Sequence, residues 1–148
     1  MRKQPKIIEF PKLGNSSCGY ISPAEKENLP FEVKRIYWTY YTPENVERGG
    51  HSHIDVELIL IAVSGIITII TEMPGGLKTC FILDTPHKGL YIPKYCWREM
   101  KYTHNAVQMC IANIEYDERD YIRDYKEFKK IKHGQRIGTS LSDLKQPT

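Results

Sequence analysis

The run RGGHSHIDVELILIAVSG, Arg48 to Gly65, changes character at every second residue. Successive side chains of a strand point to opposite faces. Taken as one strand, His51, His53, Asp55, Glu57, Ile59 and Ile61 share a face that is polar at one end and apolar at the other. That is the pattern of a strand in a small barrel, with chemistry at the mouth and packing below it. The opposite face, Ile54, Val56, Leu58 and Leu60, is apolar throughout. A strand buried on both sides needs a cover on the outside. The expected cover is a second subunit, so the chain is expected to be a homodimer.

Working outward, the flanking sequence is a series of short strands. Lys6 to Phe10 forms the first and ends at Pro11. Gly14 to Gly19 is a turn region, and Ser22-Pro23-Ala24-Glu25 fits a capping box for a single helical turn. Phe31 to Tyr41 is rich in β-branched and aromatic residues and is a strand. After the opening stretch come strands at Ile66–Glu72, Leu77–Leu83, Gly89–Ile92, Cys96–Tyr102 and Ala106–Ile114, separated by turn residues. Roughly nine strands at regular spacing predict an all-β sandwich or barrel. One helix closes the chain. Asp117 is its expected N-cap, Glu118 and Asp120 suit its first turn, and Tyr121, Tyr125 and Phe128 form its apolar stripe beside Ile122.

At 148 residues the chain has the length of one domain. We expect a folded unit over 1–132 and a basic, disordered tail over 133–148. With 26% charged and 41% hydrophobic residues, the composition is that of a soluble globular protein. The longest apolar run, Leu58 to Val63, is too short for a bilayer span, and the N-terminus has no signal-peptide apolar stretch. The expected location is the cytoplasm, where the four cysteines, which lack CxxC spacing, are thiols. Residues 126–148 carry six Lys or Arg against two acidic residues, a net +4 that exceeds the whole chain's +3. The basic balance therefore belongs to the tail. No basic face on the body speaks for nucleic-acid binding.

His51 and His53, two apart on a strand, share a face beside Glu57, with Arg48 just upstream. Two chemistries use such a pair. HxH followed by Glu resembles the first motif of the cupins, and imidazoles with a carboxylate suit divalent metals. A metal-binding cupin adds a later histidine, but the corresponding segment, PKYCWREM, carries Arg98. A guanidinium cannot ligate and repels a cation, so no metal is expected. The second chemistry is metal-free proton transfer, since histidine takes up and returns protons near neutrality. Tyr37 on the preceding strand could add a phenol that donates to a carbonyl oxygen. Arg35 and Arg48 offer bidentate forks for phosphate.

Four segments occurring together, LPFEVKRIYWTY, ERGGHSHIDVE, GLYIPKYCWREM and EYDERDYIRDYKEF, resemble the dTDP-4-keto-6-deoxyglucose 3,4-ketoisomerases, a family of nucleotide-sugar cupins. The resemblance covers about residues 7–130. It implies a cupin-type jelly roll with one C-terminal helix, and a homodimer with exchanged strands. It also implies no cofactor and a dTDP-linked 4-keto-6-deoxy sugar as substrate. In this reading His51 is the carbon-proton base, His53 and Tyr37 assist, and Arg35 and Arg48 hold the diphosphate. Trp97 and Arg98 are expected beside the substrate. The keto group moves from carbon 4 to carbon 3, and the product feeds an aminotransferase that makes a 3-amino sugar for surface glycans. The chain departs from the family pattern HAHKKLEQ at Ile54 and Leu58, has Arg98 where many relatives have histidine, and has Cys18-Gly19 in place of an early RG. A nucleotide-sugar epimerase on a related barrel and a non-catalytic or metal-binding sugar-binding cupin are the alternatives.

Overall fold

The computed structural model of the chain describes residues 1–132; the expected tail, 133–148, lies outside them. The strands are β1 (Lys6–Glu9), β2 (Leu13–Asn15), β3 (Gly19–Ile21), β4 (Arg35–Thr39), β5 (Arg48–His53), β6 (Leu58–Ser64), β7 (Ile67–Glu72), β8 (Lys78–Leu83), β9 (Lys88–Ile92), β10 (Trp97–Tyr102), β11 (Val107–Ala112) and β12 (Tyr121–Ile122). One short helix, α1, spans Tyr125–Lys130. Two five-stranded antiparallel sheets form, β1-β9-β6-β11-β4 and β12-β5-β10-β7-β8. Their inner faces share one core that includes Leu58, Leu60, Leu90 and Cys110 from the first sheet and Ile67, Ile69 and Met100 from the second. This is the expected all-β jelly roll. A small separate hairpin, β2-β3, flanks the Gly14–Gly19 turn.

The opening stretch is two strands, not one. After His53 the chain bends and crosses from the second sheet to the first, so the inward direction reverses between β5 and β6. Leu58, Leu60 and Ala62 therefore face the common core. Ile59 and Ile61 face outward, under Ile8, Phe10, Leu29, Phe31 and Val33 of the chain's own N-terminal region. This corrects two expectations. The two histidines do not share a face with Ile59 and Ile61, and the Val56, Leu58, Leu60 side is interior and not available to a second subunit. Full burial of each such aliphatic side chain contributes about 1.5–3 kcal/mol. A core position therefore outcompetes any exposed arrangement.

The C-terminal segment also differs. Asp117 does cap, but it caps a single 3₁₀ turn, Glu118–Asp120. The chain then pairs with β5 as β12 and restarts as α1 behind a second cap, Asp124, whose carboxylate accepts from the Lys126 and Glu127 backbone N–H groups. Phe128 and Ile131 bury against Trp97 on the outer side of the second sheet. The helix is interrupted because Asp120 is drawn inward by partners in β5 and the crossing that follows it.

Candidate active site

Strand register builds the site. Arg98 on β10 stands opposite His51 on β5, and His53 stands opposite Tyr121 on β12. Directly paired residues in a sheet share a face, so Arg98, His51, His53 and Tyr121 all point into the jelly roll. The β5–β10 pairing slips between Arg98 and Glu99: Glu99 faces Gly49, leaving Gly50 as the extra residue of a bulge. Both glycines have left-handed backbones, φ +86° and +67°. A Cβ on Gly49 would lie 2.6 Å from the Arg98 carbonyl oxygen. The bulge also turns Arg48 to the inner side, opposite Met100.

Arg98 is 2% exposed. Its Nη2 donates to His51 Nε2 at 2.9 Å and to His53 Nε2 at 3.0 Å. Both Nε2 atoms are therefore lone-pair acceptors, and the protons of the neutral rings lie on Nδ1. His51 Nδ1 donates to the Gly49 carbonyl at 3.1 Å, and His53 Nδ1 donates to Asp120 Oδ2 at 2.9 Å. Burial, followed by the Arg98 charge, lowers the His51 pKa to about 3 and that of His53 to about 2. The two rings meet edge to face at 5.0 Å, and Tyr121 lies 4.9 Å from His51 and 4.4 Å from His53. Arg98 Nε and Nη1 are buried with no partner among the described residues.

Asp120, 1% exposed, anchors the corner behind His53. Its Oδ1 accepts from the Asp55 N–H at 2.7 Å, and its Oδ2 accepts from Val56 N–H at 3.3 Å. Burial raises its pKa to about 6 against the lowering effect of those two backbone donors. Asp120 and Tyr121 were missed in the sequence reading, which gave both to a helix. The available signal was their place in the EYDERDYIRDYKEF segment, an odd setting for a buried aspartate.

The other expected residues are spread around this centre. Tyr37 faces the interior from β4, opposite Cys110, and burial raises its phenol well above the usual range. The Arg35 guanidinium lies 4.3 Å from the Tyr37 ring and 5.3 Å from the Tyr116 ring. Arg123 lies 4.2 Å over the Tyr121 ring and is gripped by Glu118 at 2.7 and 3.0 Å. Arg48 is exposed at the start of β5, the far end from His53. Trp97 is not brought to the site. Its neighbour Arg98 points inward, so Trp97 points outward, against Phe128 and Tyr125, and its Nε1 donates to Glu99 at 3.2 Å.

A divalent metal does not fit this arrangement. Both imidazole lone pairs that could ligate it already accept from a cation. Among the described residues no group of three or more His, Cys, Asp or Glu could hold a metal ion. Among the same residues no helix is long and apolar enough to cross a membrane.

The chain is similar to several known proteins. The TDP-4-oxo-6-deoxy-alpha-D-glucose-3,4-oxoisomerase of Aneurinibacillus thermoaerophilus is 36% identical over 126 residues, 84% of this chain and 90% of that protein. The crystal structure of a 3,4-ketoisomerase from Helicobacter canadensis superposes with a TM-score of 0.80 at 36% identity, covering 85% of this chain and 95% of that one. The 3,4-ketoisomerase QdtA of Thermoanaerobacterium thermosaccharolyticum, solved as a histidine-to-asparagine mutant in complex with TDP-4-keto-6-deoxyglucose, gives a TM-score of 0.81 at 32% identity, with coverages of 87% and 94%. Residues 3–133 match the family described as FdtA: WxcM-like, C-terminal, and the chain belongs to that family.

Proposed function

We propose that the protein is a sugar-nucleotide 3,4-ketoisomerase acting on a dTDP-4-keto-6-deoxyhexose. The observation that carries this reading is the convergence of two neutral imidazole lone pairs on one buried guanidinium. It supports proton transfer next to an anion-stabilising group. His51 Nε2 gives up its bond from Arg98 Nη2 and removes the proton at carbon 3, adjacent to the ketone. The electron pair moves into the carbon 3–carbon 4 bond and onto oxygen 4, giving an enediolate. Arg98, with the N–H groups of Nε and Nη1 to spare, meets the developing oxyanion. As that negative charge forms it offsets the guanidinium field, so both imidazoles become better bases when a base is needed. A proton returns to carbon 4, and His53, assisted by Tyr37, carries the proton from oxygen 3 to oxygen 4. The ketone then stands at carbon 3 with no net oxidation, so no redox cofactor takes part. Arg35 and Arg48 are assigned to the diphosphate.

His51→Asn tests the assignment. It should keep the fold and TDP binding and lower turnover about 100- to 10,000-fold, the usual worth of a general base. Near wild-type turnover would overturn the role given to His51.

We further propose a cytoplasmic homodimer with exchanged strands. Ile36, Trp38 and Tyr40 form an exposed outward row along edge strand β4 and the residue after it, and Leu13, Tyr20 and Ile21 are exposed on the β2-β3 hairpin. Contiguous apolar surface of this kind marks an interaction face. Sedimentation should show a dimer at micromolar concentration, and a monomer there would refute it. The 3-keto product is set up for transamination to a 3-amino sugar for surface glycans.

A further inference from the structure

We infer that Asp120 is a positioning residue for the proposed reaction, its carboxylate holding His53 in the Nδ1–H tautomer so that Nε2 keeps a lone pair, which accepts from Arg98 at the centre of the site. This rests on the ketoisomerase reading for its kinetic consequence and on the geometry alone for its tautomer. Asp120 comes from a different part of the chain, 67 residues after its partner. Its carboxylate is committed entirely inward, to the His53 ring and to the Asp55 and Val56 N–H groups. Its backbone carbonyl accepts from Ile54 N–H at 3.0 Å. The residue thus grips the crossing that follows β5 and the ring that β5 presents. A carboxylate only accepts, so the proton between it and His53 belongs on Nδ1.

His51 has no such support. Its Nδ1 meets only the Gly49 carbonyl. A neutral carbonyl can orient an imidazole but offers an imidazolium less stabilisation than a carboxylate does. Of the two rings, His53 is therefore the one built to carry a proton transiently between the sugar oxygens.

Asp120→Asn separates this role from simple packing. The Asn oxygen keeps the shorter bond, from Asp55 N–H. The amide NH2 then takes the place of Oδ2, gives up the 3.3 Å bond from the Val56 N–H and donates to His53 Nδ1, which drives the proton to Nε2. An Nε2–H faces Arg98 Nη2 donor to donor and cannot act as a base. The equivalent substitution in the serine-protease triad lowers turnover by about 10,000-fold through the wrong tautomer.

The experiment has two parts. Nitrogen-15 NMR of imidazole-labelled wild-type protein reads the His53 tautomer directly, with no variant needed. The expected state is Nδ1–H with a bare Nε2, and an Nε2–H state in the wild type would overturn the inference. In Asp120→Asn the tautomer should invert and turnover of the 4-keto sugar nucleotide should fall about 100- to 10,000-fold. TDP affinity by calorimetry should change less than about twofold, because Arg35 and Arg48 are untouched. Wild-type turnover in that variant would overturn the inference. Failure of the wild type itself to convert the sugar would instead sink the ketoisomerase reading and leave the tautomer result standing.

Discussion

Replacing Gly49 and, separately, Gly50 by alanine is a sharp test of how the bulge positions the site. Both residues have left-handed backbones, which cost an alanine about 1–2 kcal/mol each. Their surroundings differ. A Cβ on Gly50 meets nothing within 4 Å, whereas one on Gly49 sits 2.6 Å from the Arg98 carbonyl oxygen and 3.4 Å from the Glu99 Cα. A close carbon–oxygen approach is about 3.3 Å, so β5 and β10 must separate by several tenths of an ångström. Overpacking of that size adds about 1–3 kcal/mol. Gly50→Ala should therefore lower stability by about 1–2 kcal/mol. Gly49→Ala should lower it by about 2–5 kcal/mol, the sum of the two effects. The displaced strands carry His51 and Arg98, and a misplacement near 1 Å can lower turnover about 100-fold. Urea denaturation of both variants, with turnover measured on the folded protein, reads out each part. Equal destabilisation by the two substitutions, or full turnover in Gly49→Ala, would show that the Gly49 contact with β10 does not position the site.

Acid should destabilise the fold. His51 and His53 are held near pKa 3 and 2 in the folded state against about 6.5 unfolded, so the unfolded chain binds more protons below pH 6.5. Each contributes a loss of about 1.4 kcal/mol per pH unit as pH falls through that range. Asp120, raised to about 6, has the opposite sign between its unfolded pKa of 3.8 and 6 and offsets one of them. Denaturation midpoints should fall steadily from pH 6.5 to 4, and a flat profile would contradict the buried neutral pair. Arg48→Ala should raise KM more than it lowers kcat, since a phosphate contact is similar in ground and transition states; a loss confined to kcat would remove Arg48 from the diphosphate. Turnover should survive EDTA, because Arg98 occupies both imidazole lone pairs, and activity lost to chelator and restored by one divalent metal would contradict that geometry.

The period-two pattern of Arg48–Gly65 was sufficient to indicate strands, and the HxH pair was legible because two histidines on one strand face have few packing reasons to be there. The phase of the pattern was not legible. The histidines and Ile59 are in step along the sequence, yet the crossing at Ile54–Glu57 reverses inside and outside between them. Nothing local marks a change of sheet, because the crossing is held by Asp120 and Asn113 from far along the chain. The same long-range contact hid Asp120 itself. Read locally, an aspartate two residues from an acidic neighbour and before Tyr121 suits a helix start. Its burial depends on His53, which no spacing rule connects to it. Trp97 failed for a simpler reason. It adjoins Arg98 in sequence, and adjacent residues of a strand face opposite ways.

Proton NMR of the product formed from dTDP-4-keto-6-deoxyglucose in deuterated water separates 3,4-isomerisation from its alternatives. The expected product is a sugar with its ketone at carbon 3 and a single solvent deuteron on carbon 4, placed there by an imidazole that exchanges its proton before returning one. Recovered 4-keto sugar carrying deuterium on carbon 3, or no reaction at all, would contradict it.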